Sequence, residues 1–316
     1  MKAIVTGGAG FIGSHLAMRL LSEGWEVVIL DNLSSGHERN LPAGAEFRWF
    51  DLASAHAYPS LNIDGVDAIF HLASHVGQEL SFLNPVYDLQ ANALSTLCLI
   101  QWAQARKVPK LVFASTMNLY GDPEALPVTE DSPVRPPSPY AVGKLASEHL
   151  CDIYRNAGLH TACLRLFNVY GPGQDMRNMK QGMVSIFMSY VAKGVPIHVR
   201  GAPDRFRDFV YVDDVVDAFL RALAPAASGR IYNVCTGVKT RVDELLQRMI
   251  RAYGREPGYP VTFGEPTPKD QFGVYGDRGR ISRELGWEPR TGLDEGLAAM
   301  AEWARRLDPA LLPDLK

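Results

Sequence analysis

The chain has 316 residues, of which 47% are apolar and 21% charged, and its formal net charge is −3. This is the composition of a globular protein with one large domain or two closely packed ones, and it offers no general attraction for nucleic acid or an anionic membrane. No apolar run is long enough to span a bilayer, and Lys2 leads directly into a strand-like run, so we expect neither a membrane segment nor a signal peptide. The four scattered cysteines favour a reducing, cytoplasmic location.

The first half of the chain alternates short apolar runs with segments of helical spacing. Strands are predicted over 2–6, 26–30, 47–51, 68–73, 111–115 and 161–166. Helices are predicted from Phe11 onward, over 86–105 and over 140–155. This alternation predicts an α/β fold, a doubly wound (Rossmann) parallel sheet that collects its ligands at the carboxyl ends of the strands.

The rhythm changes near Val169, where glycine, proline and charged residues become frequent and the predicted helices shorten, as over 184–192 and 242–253. Segments 208–214 and 231–234 read as returns to the main sheet. We therefore predict a nucleotide-binding domain formed by 1–168 plus about 209–235. The remainder, about 169–208 and 236–316, is predicted to form a smaller, discontinuous α+β lobe that binds the substrate.

Three glycines, Gly7, Gly10 and Gly13, mark the junction of the first strand and the first helix. The first permits a tight turn, the second lets the backbone approach a ligand, and the third lets the helix pack against the strand. The N–H groups that open the helix suit a phosphate. Asp31 ends the second strand, where a carboxylate accepts hydrogen bonds from both ribose hydroxyls of adenosine and repels a 2′-phosphate. The unit predicts NAD rather than NADP as the cofactor.

A candidate reacting group follows the fifth strand. Tyr140 and Lys144 are four residues apart and share one face of a predicted helix, and Thr116 ends the strand before it. An ammonium and a nicotinamide cation both favour the phenolate, so we expect the pKa of Tyr140 to fall from about 10 towards neutrality. Tyr140 would then act as a general base, with Thr116 bound to the same substrate hydroxyl.

These motifs resemble the extended short-chain dehydrogenase/reductase family, in particular its NAD-dependent nucleotide-sugar epimerase and dehydratase branch, and UDP-hexose 4-epimerases most of all. The resemblance covers nearly the whole chain. It is carried by 6–13, 31–34, 71–73, Asn92, 120–123, Tyr140 with Lys144, 167–172 and 207–214.

The resemblance implies a role for each matching position. The catalytic trio would be Thr116, Tyr140 and Lys144. The cofactor would be bound by that tyrosine and lysine together with Gly7, Gly10, Phe11, Ile12, Asp31, Asn32, Ser34, Asp51, Leu52, Leu72, Ala73, Ser74, Asn92 and Ser115. The substrate would be bound by Ser81, Thr116, Asn168, Val184, His198, Arg207, Lys269 and Asp270.

Arg207 would clamp the diphosphate, since a guanidinium pairs bidentately with phosphate oxygens. The alternative for this residue is a structural ion pair with Asp204 or Asp208. Four polar residues of the predicted substrate lobe either contact the sugar and contribute to its recognition or are simply solvated. They are Arg177, Asn178, Lys180 and Gln181. No metal site is predicted, because His71, His75 and His198 belong to no cluster of ligands.

The departures from the family pattern concern the reaction. Where the 4,6-dehydratases carry an aspartate and a glutamate after the threonine, this chain has Met117 and Asn118, neither of which exchanges a proton near neutral pH. Lys269 stands near the place of a diphosphate-binding arginine. Val274 stands where a bulky aromatic closes the sugar C2 pocket of hexose-only enzymes, and a small residue there would leave room for an N-acetyl group.

The sequence thus predicts an NAD-dependent isomerase that inverts C4 of a UDP-hexose or UDP-N-acetylhexosamine through a transient 4-keto sugar. The alternatives are a nucleotide-sugar dehydratase, a 4-ketoreductase and, from another class, a non-catalytic NAD-sensing regulator. By resemblance we expect a homodimer, with the helices over 86–105 and 140–155 of each subunit forming a four-helix interface.

Overall fold

The structure is a computed structural model, which describes residues 1–265 and 271–315. The strands are β1 (Lys2–Thr6), β2 (Glu26–Asp31), β3 (Glu46–Trp49), β4 (Ala68–His71), β5 (Lys110–Thr116), β6 (His160–Leu166), β7 (Asn168–Tyr170), β8 (Ile197–Arg200), β9 (Phe206–Arg207), β10 (Phe209–Tyr211), β11 (Arg230–Val234), β12 (Thr240–Arg241) and β13 (Val261–Gly264). The α-helices are α1 (Phe11–Ser22), α2 (Gln78–Leu83), α3 (Pro85–Leu89), α4 (Ser95–Ala105), α5 (Pro139–Arg155), α6 (Met183–Lys193), α7 (Val212–Arg221), α8 (Val242–Tyr253), α9 (Gly279–Leu285) and α10 (Leu293–Arg305).

The main sheet of the described chain has seven parallel strands in the order β11-β6-β5-β4-β1-β2-β3. The chain moves outward from β1 in both directions, so the strand order reverses between β1 and β4. This reversal opens a crevice at the carboxyl ends of the central strands. The predicted doubly wound α/β fold is confirmed.

Helices cover both faces of the sheet, as the continuous burial of residues 3–6 in β1 requires. Ala3 and Val5 pack with Leu16 and Leu20 of α1 in one core cluster. Ile4 points to the opposite face and belongs to a second cluster with residues of α4. A third cluster joins α6, α8 and α10, outside the main sheet.

Two predicted elements differ from the structure. The helix predicted over 86–105 contains a π-helical turn, Gln90–Leu94, between α3 and α4. Segment 208–214 does not return to the main sheet, because β10 pairs in parallel with β7 in a separate two-stranded sheet before α7 begins. The other expected return is correct, since β11 pairs with β6 at the edge of the main sheet. The division of the chain into two domains stays a prediction.

No helix in the described part of the chain combines the length and the apolar character needed to cross a membrane.

Candidate active site

A cavity of about 770 Å³ opens at the carboxyl ends of the central strands. It brings together residues from the glycine-rich turn, the ends of β2, β4 and β5, the start of α5 and the loop before α6. Of the predicted residues, its lining includes Gly7, Gly10, Phe11, Ile12, Asp31, Asn32, Ser34, Asp51, Leu52, Leu72, Ala73, Ser74, Ser115, Thr116, Tyr140, Lys144, Asn168 and Val184.

The glycine-rich turn has the geometry that its three glycines predict. Gly7 adopts a φ of +69°, which favours glycine, and a Cβ on it would lie 2.7 Å from the backbone nitrogen of Ala73. A Cβ on Gly13 would lie 2.2 Å from the Gly7 carbonyl oxygen, so α1 packs against β1 only without a side chain there. Gly10 lines the cavity and is the N-cap of α1, whose first N–H groups therefore face a ligand.

Asp31 is fixed at the cavity wall by the backbone. Its Oδ2 accepts a hydrogen bond from Ala9 N at 3.0 Å and its Oδ1 accepts one from Leu33 N at 2.8 Å. A carboxylate has further acceptor sites on both oxygens, so Asp31 can still accept ribose hydroxyls. The glycine cradle and this carboxylate fit the adenosine and diphosphate portions of NAD.

Tyr140, Lys144 and Thr116 meet at the inner end of the cavity. Pro139 begins α5 after Ser138, whose hydroxyl caps the helix by accepting a hydrogen bond from Ala141 N, and this fixes Tyr140 in the first turn. Thr116 ends β5 and forms a side-chain hydrogen bond with Tyr140. The Lys144 ammonium donates to the Ala114 carbonyl oxygen at 2.9 Å and lies 5.9 Å from the centre of the Tyr140 ring.

The expected lowering of the Tyr140 pKa is not a property of the protein alone. Burial raises the pKa of Tyr140 to about 12, with the Thr116 hydrogen bond acting in the opposite direction and the charge of Asp88 raising it further. Burial also lowers the pKa of Lys144 to about 7, which weakens the ammonium as a source of positive charge. The sequence prediction considered the charges and omitted this cost of desolvation, and the effect of a bound nicotinamide cation on the Tyr140 pKa stays a prediction.

Several predicted binding residues lie outside the cavity lining that the described residues define. Asn92 is buried in the π-helical turn. It accepts a hydrogen bond from Ser74 Oγ at 2.6 Å and donates one to the His75 carbonyl oxygen at 3.1 Å, so it fixes the loop after β4 that lines the cavity. Ser81 is buried in α2 and donates to the Gln78 carbonyl oxygen. His198 lies on the exposed side of β8. Lys269 and Asp270 lie outside the described residues.

Arg207 is also outside this lining, and it is buried. Its guanidinium donates to the carbonyl oxygens of Phe206, Phe272 and Gln271 at 2.8 to 3.1 Å. Burial and the neighbouring Arg205 lower the pKa of Arg207 to about 10. Asp208, one of its two suggested ion-pair partners, accepts hydrogen bonds from Thr236, Gly237 and Gly276.

Comparison with known proteins defines the family. Residues 3–235 match the model of the NAD dependent epimerase/dehydratase family. The chain belongs to this family. It is 40% identical to a UDP-glucose 4-epimerase of Mycolicibacterium smegmatis, over 96% of this chain and 99% of that protein.

Solved structures of the same family have the same fold. A UDP-glucose 4-epimerase of Thermotoga maritima with UDP-glucose superposes with a TM-score of 0.92 at 34% identity, over 97% of this chain and 99% of that one. A UDP-glucose 4-epimerase of Thermus thermophilus in complex with NAD gives a TM-score of 0.86 at 36% identity, with the same coverage. The predicted family and NAD cofactor are confirmed.

Membership of the epimerase/dehydratase family gives meaning to Met117 and Asn118, which line the cavity in the 3₁₀ turn after Thr116. Neither side chain exchanges protons at neutral pH, so these two positions supply no acid–base pair for removing water. Val274, in contrast, is fully buried in the main hydrophobic core, and the structure does not place it at the cavity.

Sequence reasoning missed part of the cavity wall. The loop after β2 contributes residues 35–37 and Asn40, and the loop before α6 contributes Gln174 and Asp175. The first loop follows a central strand directly, so the rule that ligands collect at carboxyl ends was a sufficient signal for it. The second loop belongs to the segment predicted to form the smaller lobe, and no local sequence pattern predicts its contact with the cavity.

Proposed function

We propose that this chain inverts the configuration at C4 of a UDP-hexose or UDP-N-acetylhexosamine. The observation that carries the proposal is that Tyr140, Lys144 and Thr116 share one cavity with the NAD-type turn, while Met117 and Asn118 occupy the two dehydratase positions. The UDP-glucose 4-epimerases that resemble the chain over nearly its full length support UDP-hexose as the substrate class.

The reaction needs a proton acceptor at O4 and a hydride acceptor at C4. Bound NAD supplies hydride transfer from and to C4, and its pyridinium charge favours the Tyr140 phenolate. Tyr140 removes the O4 proton as the carbinol becomes a ketone, and Thr116 holds the same oxygen. After the 4-keto sugar has turned in the cavity, Tyr140 returns the proton, so no atom or electron pair is lost over the cycle.

The remaining side chains hold the substrate. We assign Asn168 and Val184, which line the cavity, to the sugar nucleotide. Arg207 is retained as a candidate for the diphosphate, as is Lys269 on sequence grounds, and Asp270 is retained as a candidate substrate contact. Asn178, Lys180 and Gln181 line the cavity from the loop before α6, which favours contact with the sugar over the solvated alternative.

A panel experiment tests this function. The purified protein is incubated with UDP-, dTDP-, GDP- and CDP-sugars, and the products are identified by NMR and mass spectrometry. We expect interconversion of C4 epimers of a UDP-sugar at constant mass, without net consumption of added NAD or NADH. A product lighter by one water would establish a dehydratase, and stoichiometric use of the cofactor would establish a reductase or oxidase.

The variant Tyr140→Phe separates an enzyme from a sensor. It removes the only group assigned to take the O4 proton, so we expect kcat to fall by a factor of about 10³ or more, while NAD still binds. NAD binding is measured by calorimetry on the same preparation. If Tyr140→Phe behaved like the unaltered protein in both the activity assay and the NAD-binding assay, the non-catalytic regulator would be favoured.

We also propose that the protein is a cytoplasmic homodimer. All four cysteines are free thiols, as is usual in a reducing compartment. Val86 and Leu89 of α3 and Val142 and Ile153 of α5 are exposed apolar side chains on neighbouring helices. A face of this kind suits a four-helix interface with a second copy.

A further inference from the structure

The Lys144 ammonium is almost completely buried, at 3% exposure, with little to balance its charge. It donates a hydrogen bond to the Ala114 carbonyl oxygen, at 2.9 Å, and lies over the rings of Phe113 and Tyr140. No carboxylate of the described residues lies within ion-pair distance of it. A buried charge of this kind is retained only if a nearby opposite charge compensates for desolvation.

Two buried carboxylates are near enough to act on Lys144, namely Asp88 and Glu148. Glu148 is already paired, because Arg165 donates to Oε1 at 2.9 Å and to Oε2 at 2.8 Å. The pair carries no net charge, so its field falls off steeply with distance. Glu148 is therefore a weak counter-ion for Lys144.

Asp88 is paired with no arginine or lysine among the described residues. It is fully buried on α3, which packs against α5, the helix that carries Tyr140 and Lys144. Its Oδ2 is 2.9 Å from His75 Nδ1, and its Oδ1 has no hydrogen-bond partner among the described residues. A neutral His75 that donates Nδ1–H leaves the negative charge of Asp88 uncancelled.

We propose that Asp88 is the counter-anion of the reaction centre, a positioning residue that keeps the buried Lys144 ammonium protonated across the contact between α3 and α5. The same carboxylate fixes the imidazole of His75, which lines the cavity wall. The effect of Asp88 on the protonation of Lys144 is independent of the proposed function. Its effect on the reaction rate rests on that function.

The other titratable groups around this centre do not replace Asp88. Burial lowers the pKa of His71 to about 3, so it is neutral, and its two ring nitrogens contact the hydroxyls of Thr6 and Thr96. Tyr140 and Tyr87 are phenols, and Glu148 is paired as described. Burial lowers the pKa of Lys144 to about 7, so a single nearby anion decides its charge at neutral pH.

A titration of Lys144 in the protein alone tests the electrostatic role. Lysine side chains are labelled with ¹³C at Cε, and the Lys144 signal is assigned by its loss in Lys144→Arg. We expect Asp88→Asn to lower the titration midpoint of Lys144 by about one pH unit, because it removes one buried negative charge. Glu79→Gln removes an exposed carboxylate from the preceding helix and should leave the midpoint unchanged.

Asp88→Ser is measured in parallel, and a cooperative thermal unfolding transition shows which variants are folded. If one of the two is not folded, the other still tests the proposal. A Lys144 midpoint that is unchanged or raised in a folded variant would overturn the proposal. This readout needs neither cofactor nor substrate, so it remains valid if the proposed reaction is not observed.

The pH profile of the epimerase tests the kinetic consequence. Loss of the anion lowers the pKa of both Tyr140, needed as phenolate, and Lys144, needed as ammonium. Both limbs of the kcat profile should therefore move to lower pH in Asp88→Asn. A reduced kcat with both limbs in place would indicate a merely structural role and contradict the proposal.

Discussion

Gly13 is the position of the glycine-rich turn that tolerates a side chain least. We expect Gly13→Ala to weaken NAD binding and to cost about 1–3 kcal/mol of unfolding free energy, because the new methyl group meets the Gly7 carbonyl oxygen and displaces α1 from β1. Urea unfolding and calorimetric titration with NAD measure the two effects.

Gly264→Ala is a suitable control for this substitution. Among the described residues its Cβ would meet only the Val199 carbonyl oxygen, at 3.9 Å, and its backbone lies in β13, outside the cavity lining. We expect neither stability nor NAD binding to fall. Equal losses in the two variants would show that the close approach at Gly13 has no special importance.

At this scale the sequence indicated the glycine turn and Asp31, because spacing in the first strand–turn–helix–strand unit fixes their positions. It indicated Tyr140 and Lys144 because they are four residues apart on one helix. It could not indicate the surroundings of Arg207 or the charge balance around Tyr140. Both depend on desolvation and on residues that only the tertiary fold brings together, such as Asp88.

Between elements, the buried pair of Glu148 on α5 and Arg165 on β6 connects the helix that carries Tyr140 to the main sheet. We expect Glu148→Gln to reduce the free energy of unfolding by about 3–5 kcal/mol, because it leaves the guanidinium buried without its counter-ion. Chemical denaturation measures the loss.

The exposed pair of Arg19 and Glu23 on α1 offers a matched control, since it is also a close arginine–glutamate pair. We expect Glu23→Gln to change stability by no more than about 0.5 kcal/mol, because solvent screens that interaction. A similar loss of stability in both variants would mean that burial does not make the Glu148–Arg165 pair more important for stability than an exposed pair.

The strands of the main sheet could be predicted because each buried run has a clear length and composition. The π-helical turn at Gln90–Leu94 could not, since its residues continue the helical pattern and the extra residue per turn leaves no mark in the sequence. The partner of β10 was likewise hidden, because a three-residue strand looks the same in either sheet.

For the whole molecule, the central prediction concerns its assembly. We expect Ile153→Glu to convert the proposed dimer into a monomer, because it places a charge on the apolar face of α5. Light scattering coupled to size-exclusion chromatography measures the mass.

Met18→Glu alters another exposed apolar residue, on α1 and outside the proposed interface, and should leave the dimer intact. If the unaltered protein were a monomer at micromolar concentration, or if both variants behaved alike, the four-helix interface would be excluded.

The strand β11 closes the main sheet against β6, yet the strands β7 to β10 and the helices α6 and α7 separate the two along the chain. A nascent polypeptide that has left the ribosome only as far as residue 229 therefore presents β6 with one row of backbone N–H and C=O groups unpaired. Such an edge recruits strands from other chains. Synthesis of this protein is thus most vulnerable to aggregation just before Arg230–Val234 emerges, and a chaperone would be most useful at that moment.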